Sequence, residues 1–110
     1  MIHTIVISQT AANKADRYLT TSQLKDVLRD STGYICRQAS PNHDGLYPEN
    51  EFIMRGEFFG HSLDIVFAVE ADQIIVITQM SQHADSLRGR FYEFIGDSVP
   101  TAIEHAQQRG

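Results

Sequence analysis

Four side chains late in the chain, His83, Arg88, Arg90 and Tyr92, are of the types that cleave a phosphodiester. Breaking that bond beside a 2′-hydroxyl takes a base for the hydroxyl, a cation for the charge growing on the phosphorane oxygens and a proton donor for the leaving oxygen. A histidine, an arginine and a tyrosine can fill these roles, and Arg37 and Arg55 are placed to join them from neighbouring strands. The same residues have a plainer use. Arg88 and Arg90 can solvate a loop, Tyr92 can pack beside Phe91 and Phe94, and His83 can cap an element or sit on the surface. Their spacing is not diagnostic, and the sequence has no phosphate-cradling glycine loop, CxxC, HExxH or nucleophile elbow. His43 and Asp44 offer two ligand types in one loop, which make no metal site. No cofactor is expected.

A second chemistry is binding by charge. Residues 41 to 72 carry Asp44, Glu49, Glu51, Glu57, Asp64, Glu70 and Asp72 against Arg55 alone, and the whole chain is formally −5. Such an edge disfavours phosphate and suits docking on a basic protein, with Glu49, Glu51, Glu57, Asp64 and Glu70 as the contacts. Arg55 and Asp64 are also within reach of each other across a hairpin, as a cross-strand ion pair.

The elements that must hold these residues fit one domain, residues 1–110, with 42% hydrophobic content. The single cysteine, Cys36, cannot make an internal disulfide, which favours a reducing cytoplasm and an ordinary buried strand residue. There is no apolar run near membrane-spanning length and no leader pattern at Met1, so neither membrane insertion nor secretion is expected.

The core stretch is Glu51 to Met80, which reads as three consecutive antiparallel strands. With Gly60-His61 as the first turn, Phe58 pairs with Leu63, Gly56 with Ile65, Met54 with Phe67 and Phe52 with Val69. With Ala71-Asp72 as the second, Ile74 lies beside Val69, Val76 beside Phe67, Thr78 beside Ile65 and Met80 beside Leu63. The large residues of one face then share a side. The other face carries Ile53, Val66, Ala68, Ile75 and Ile77 at its middle, Arg55, and Glu57, Asp64 and Gln79 toward one end; its apolar middle needs its own cover.

Around this meander, the run from Ile2 to Ser8 predicts a short strand or extended lead-in. A first helix follows from Ser8 or Thr10 to Leu19. Thr20 and Gln23 stand at capping-box spacing and open a second helix with Leu24, Val27 and Leu28 inward, ended by Gly33 as its C′ residue. Gly33 to Ala39 alternates as a fourth strand beside the meander, and Ser40 to Asn50 is a turn-rich loop. Residues 90 to 95 are either a last edge strand or a helical turn. Ser98 caps a terminal helix Val99 to Gln108 whose Ile103 and Ala106 face inward, as cover for the second sheet face or part of a homodimer contact. The fold class expected is α+β: two N-terminal helices packed on a four- to five-stranded, mostly antiparallel sheet, with a C-terminal helix.

Two short helices containing KADRYLTTSQLKDVL, then a strand, a loop and EFIMRGEFFGHSLDIVFAVEADQIIVITQM, resemble over residues 8 to 80 the RelE/ParE superfamily of small toxins. That resemblance implies a ribonuclease acting on RNA or the ribosome, or a gyrase inhibitor, with an antitoxin partner. Arg55 is then the best site residue and Arg37 the second. The alternative is a non-enzymatic acidic binding module, such as an immunity protein or a phage- or plasmid-borne inhibitor, using the acidic edge against a basic protein.

Overall fold

The computed structural model describes residues 4–38, 51–70, 72–82 and 92–109. Their chain order is β1 (Thr4–Ile7), α1 (Gln9–Ala12), α2 (Thr21–Asp30), β2 (Thr32–Gln38), β3 (Glu51–Phe58), β4 (His61–Glu70), β5 (Gln73–Ser81), β6 (Tyr92–Ser98) and α3 (Val99–Arg109). The strands form one six-stranded sheet in the order β1-β5-β4-β3-β2-β6. This corrects the expected class. The sheet is mixed, because β1 runs parallel to β5 with Ile5 beside Ile74, and it has six strands rather than four or five. The expected N-terminal helix pair is one full helix, α2, preceded by the single turn of α1. Of the stretch from 90 to 95, residues 92 to 95 are strand while 90 and 91 lie outside the described residues, and Gly33 lies inside β2 rather than ending a helix.

The meander forms as its alternation demands, but in a different register. The first turn is Phe59-Gly60, so Phe58 faces His61, Met54 faces Ile65 and Phe52 faces Phe67. Both turn residues have positive φ, 51° and 81°, the backbone twist that joins antiparallel strands by two residues. The register differs from the expected one by two residues, which leaves every side chain on its anticipated face. Phe52 and Phe67 stack at 5.7 Å in the centre of the core.

The second hairpin departs by one residue. Val69 pairs with Ile74 and Phe67 with Val76, but Val66 then pairs with Thr78, so Ile77 is an extra residue in β5. Past this bulge every β5 side chain changes face. Gln79, expected on the polar end of the second face, turns instead into the core and is fully buried.

That inversion explains why the first helix stops early. After Ala12 the backbone bonds shorten to Lys14 N–H on the Ala11 carbonyl and Ala15 N–H on that of Ala12. Gln79 Nε2 donates to the carbonyls of Ala11 (3.1 Å) and Leu19 (2.8 Å), while Leu19 N–H donates to Gln79 Oε1 (2.9 Å). Residues 11 to 19 are thereby drawn against β5. There they close an edge that β1 leaves open, since β1 reaches only to Val76. Ser8 Oγ donates to the Ile77 carbonyl, and Lys14 Nζ donates to Thr78 Oγ1 and the Gln79 carbonyl. The Tyr18 hydroxyl bonds Ser81 Oγ, and that bond, reinforced by Arg17 and Lys14, lowers the phenol's pKa. An exposed edge would otherwise present unpaired backbone groups.

α2 is started by the expected capping box: Gln23 N–H donates to Thr20 Oγ1, and Thr20 N–H to Gln23 Oε1. Leu24, Val27 and Leu28 are buried as its spacing predicts, in one cluster with Ile35, Phe52, Met54, Ile65 and Phe67. α3 joins this same cluster through buried Val99 and Ala102, with Ile103 and Ala106 packed against it, so it covers the first face of the sheet rather than the second. Gly96 permits that approach, because a Cβ there would stand 2.5 Å from Thr101 Cγ2.

Candidate functional site

On the second face, a row of side chains crosses the sheet. Met80 of β5 lies beside Asp64 of β4, Asp64 beside Arg55 of β3, and Arg55 beside Tyr34 of β2. Tyr34 stacks on Phe94 of β6 with centroids 4.4 Å apart. At the middle of this row Arg55 Nε and Nη2 donate to the two Asp64 oxygens at 2.7 and 2.8 Å. Asp64 has no exposed surface while the Arg55 side chain keeps 23% of its own, so the pair is a half-buried, bidentate bond rather than a fully solvated one. Hydrogen bonding to Asp64 raises the Arg55 pKa above its ordinary value. Beside the row on the same face, burial pushes the Cys36 thiol up to about 11, with Arg55 acting against that rise and Asp64 with it. Cys36 is thus a buried thiol, as expected.

Of the phosphodiester-cleaving set, the structure describes the side chains of Arg37 and Arg55 alone. Tyr34 and Cys36 face the row, so Arg37, next along β2 and paired in register with Phe52, projects to the opposite face from Arg55. The sheet itself separates the two arginines. His83, Arg88 and Arg90 lie outside the described residues, and Tyr92 is placed only by its backbone, beside Gln38 in β6.

The acidic residues that the structure describes are spread apart. Glu49, with Asp44, lies outside the described residues. Glu51 and Asp64 are buried, leaving Glu57 and Glu70 exposed. Glu57 pairs with Ser62 near one end of β4 and Glu70 ends the strand at the other, roughly 26 Å away at about 3.3 Å per residue. These carboxylates do not make one edge.

One of them belongs to a different surface. A cleft of about 490 Å³ opens between the end of α2 and the β3–β4 hairpin, lined by Val27, Asp30, Ser31, Thr32, Glu57, Phe58 and Phe59. Its two ionisable lining groups, Asp30 and Glu57, are carboxylates on exposed residues. The α2 C-terminus at Asp30 and Ser31 adds the negative end of the helix dipole, against which exposed Arg29 in the last turn acts. Phe59 stands at the rim, 57% exposed. Its φ of 51° is one that a residue with a side chain adopts at a cost of about 1–2 kcal/mol.

Sequence reasoning missed this cleft because it set the turn at Gly60-His61, which places Phe59 on a strand. The available signal was the aromatic directly before Gly60 and three residues from Gly56. No helix among the described residues is long and apolar enough to cross a membrane. Comparison with protein-family models, curated proteins and solved structures finds no match to this chain.

Proposed function

We propose that this protein is a binding module that docks a basic segment of a partner protein in the cleft between α2 and the β3–β4 hairpin. The observation that carries the reading is the composition of that cleft: two carboxylates beside a half-exposed phenylalanine held in a left-handed turn. An arginine or lysine entering there can pair with Asp30 or Glu57 while lying against the Phe59 ring. A large aromatic in a strained turn is costly for folding alone, and backbone strain of this kind concentrates where binding uses it. Arg55, the leading candidate for the ribonuclease reading, is already bonded through two nitrogens to Asp64, which supports the binding reading over a cationic role toward phosphate.

Titrating the ¹⁵N-labelled protein with a hexa-arginine peptide tests this. Amide shifts should concentrate at residues 30–32 and 57–59, weaken as salt rises and fall at least tenfold in affinity for the Asp30→Lys, Glu57→Lys double variant. Shifts spread evenly over the exposed carboxylates would overturn it. So would growth arrest on induced expression that Arg55→Ala relieves, the outcome the ribonuclease reading demands.

A further inference from the structure

β3 brings a glycine against one wall of the cleft. Gly56 and Phe58 are two residues apart on that strand and so share the core face of the sheet. A Cβ built on Gly56 would stand 2.6 Å from Phe58 Cζ, and 3.1 and 3.2 Å from its Cε1 and Cε2. The outer end of the ring thus occupies the place of the missing side chain. Phe58 belongs to the buried core cluster, yet it lines the cleft, whereas Gly56 does not. The ring is therefore bounded by Gly56, by packed core and by open space. A core packed as densely as a crystal has no room for a displaced ring, which leaves the cleft as the direction in which it can yield.

We infer that Gly56 is a positioning residue for the docking cleft: having no side chain, it gives the Phe58 ring a berth on β3 and keeps the cleft open to a cationic side chain of the partner. This rests on the reading of the cleft as the docking site. At about 490 Å³ the cleft has the size of a site that holds a ligand group. A cation paired with Asp30 or Glu57 can lie against Phe59 only while nothing else fills that space. With a Cβ at position 56, the ring swings off β3 and fills it. Both carboxylates keep their charge, so the attraction that steers a basic segment to the cleft survives while the close contact is lost. Loss of shape and loss of charge therefore leave different kinetic marks: the first acts on dissociation, the second on association and its response to salt.

The test is a double-mutant cycle on hexa-arginine binding, with the ring followed by NMR. Gly56→Ala should weaken the peptide at least about fivefold through faster dissociation, and leave the salt dependence of association as in wild type. In the Phe58→Leu background the outer ring atoms are gone, and adding Gly56→Ala there should change affinity less than about twofold. That pair stays measurable even where the lone Gly56→Ala chain does not fold. In Gly56→Ala, nuclear Overhauser contacts of the Phe58 ring should move from residue 56 toward Val27 and Phe59. Gly96→Ala, which sets a Cβ 2.5 Å from Thr101 Cγ2 outside the cleft lining, should lower stability and leave affinity alone. An equal loss from Gly56→Ala in both backgrounds would overturn the inference, as would unchanged affinity in Gly56→Ala or ring contacts that stay in place. Those results leave the cleft reading standing, whereas a wild-type chain that does not bind the peptide at residues 30–32 and 57–59 removes that reading and this inference with it.

Discussion

Gln79 is the residue whose loss should cost most for its size. It is fully buried, and its amide makes three hydrogen bonds at 2.8 to 3.1 Å to backbone groups of the 11–19 segment. Gln79→Leu keeps nearly the same volume, so the packing loss is small, and the cost lies in the polar groups left behind. Ala11 O retains the Lys14 N–H at 3.2 Å, whereas Leu19 N–H and Leu19 O both lose the Gln79 bond. At about 1–3 kcal/mol for each of the two buried groups left unsatisfied, the variant should lose about 2–6 kcal/mol. For a domain near 100 residues, at about 4 °C per kcal/mol, that corresponds to a fall in Tm of about 8–24 °C.

Gln79→Glu separates hydrogen bonding from packing. When ionised, the introduced carboxylate keeps an acceptor for Leu19 N–H but turns a negative oxygen on two carbonyls, while its protonated form restores one donor. Burial and those carbonyls both favour the neutral acid, so its folded pKa lies above its unfolded one. The variant should then be most stable below the ordinary glutamate range and lose stability as pH rises through the elevated folded pKa. Thermal melts followed by circular dichroism at pH 4.5 and pH 8, each against wild type, measure both effects. A Gln79→Leu Tm within about 3 °C of wild type, with no pH-dependent gap for Gln79→Glu, would refute the keystone role.

Two further outcomes follow from the same geometry. Phe59→Asn places in the turn a residue that tolerates positive φ, so chemical denaturation should show about 1 kcal/mol more stability while hexa-arginine affinity falls; a loss of stability would show that Phe59 is held by packing instead. The Cys36 thiol, raised by burial from 9.0 to about 11, favours the folded state below about pH 9, and that contribution is lost as pH climbs from there through about 11. Iodoacetamide at pH 8 should therefore label the unfolded chain rapidly and the native chain slowly by mass spectrometry, and matching rates would show the thiol to be accessible.

The features legible in the sequence are those decided within a few residues of one another. The Thr20/Gln23 capping box forms as read because its two partners are three positions apart and nothing distant competes for them. The sorting of Phe52, Met54, Ile65 and Phe67 onto one face is legible too, even with the turn one residue earlier than the glycine suggests, because moving a two-residue turn by one position shifts the register by two. Strand alternation is blind to an even shift. The position of the turn is not legible in the same way: the sequence suggests glycine at the first turn position, while the chain puts Phe59 there and leaves Gly60 second.

What alternation cannot absorb is an odd shift, and the bulge at Ile77 supplies one. β1 is legible as a strand from its β-branched run, but not its parallel place beside β5, which depends on residues about 70 positions away. That partnership covers β5 only as far as Val76, so the rest of the strand's outer edge has to be closed by something other than a strand. The bulge answers this by turning Gln79 inward, where its amide can seize two carbonyls and one N–H of the 11–19 segment and hold that segment over the open edge. The interruption of the first helix and the appearance of a polar side chain in the core are therefore one event seen from two ends of the chain. Neither is predictable from its own neighbourhood, since a helical reading of residues 9 to 19 and an alternating reading of residues 73 to 81 are each locally correct and become incompatible only when the two stretches meet.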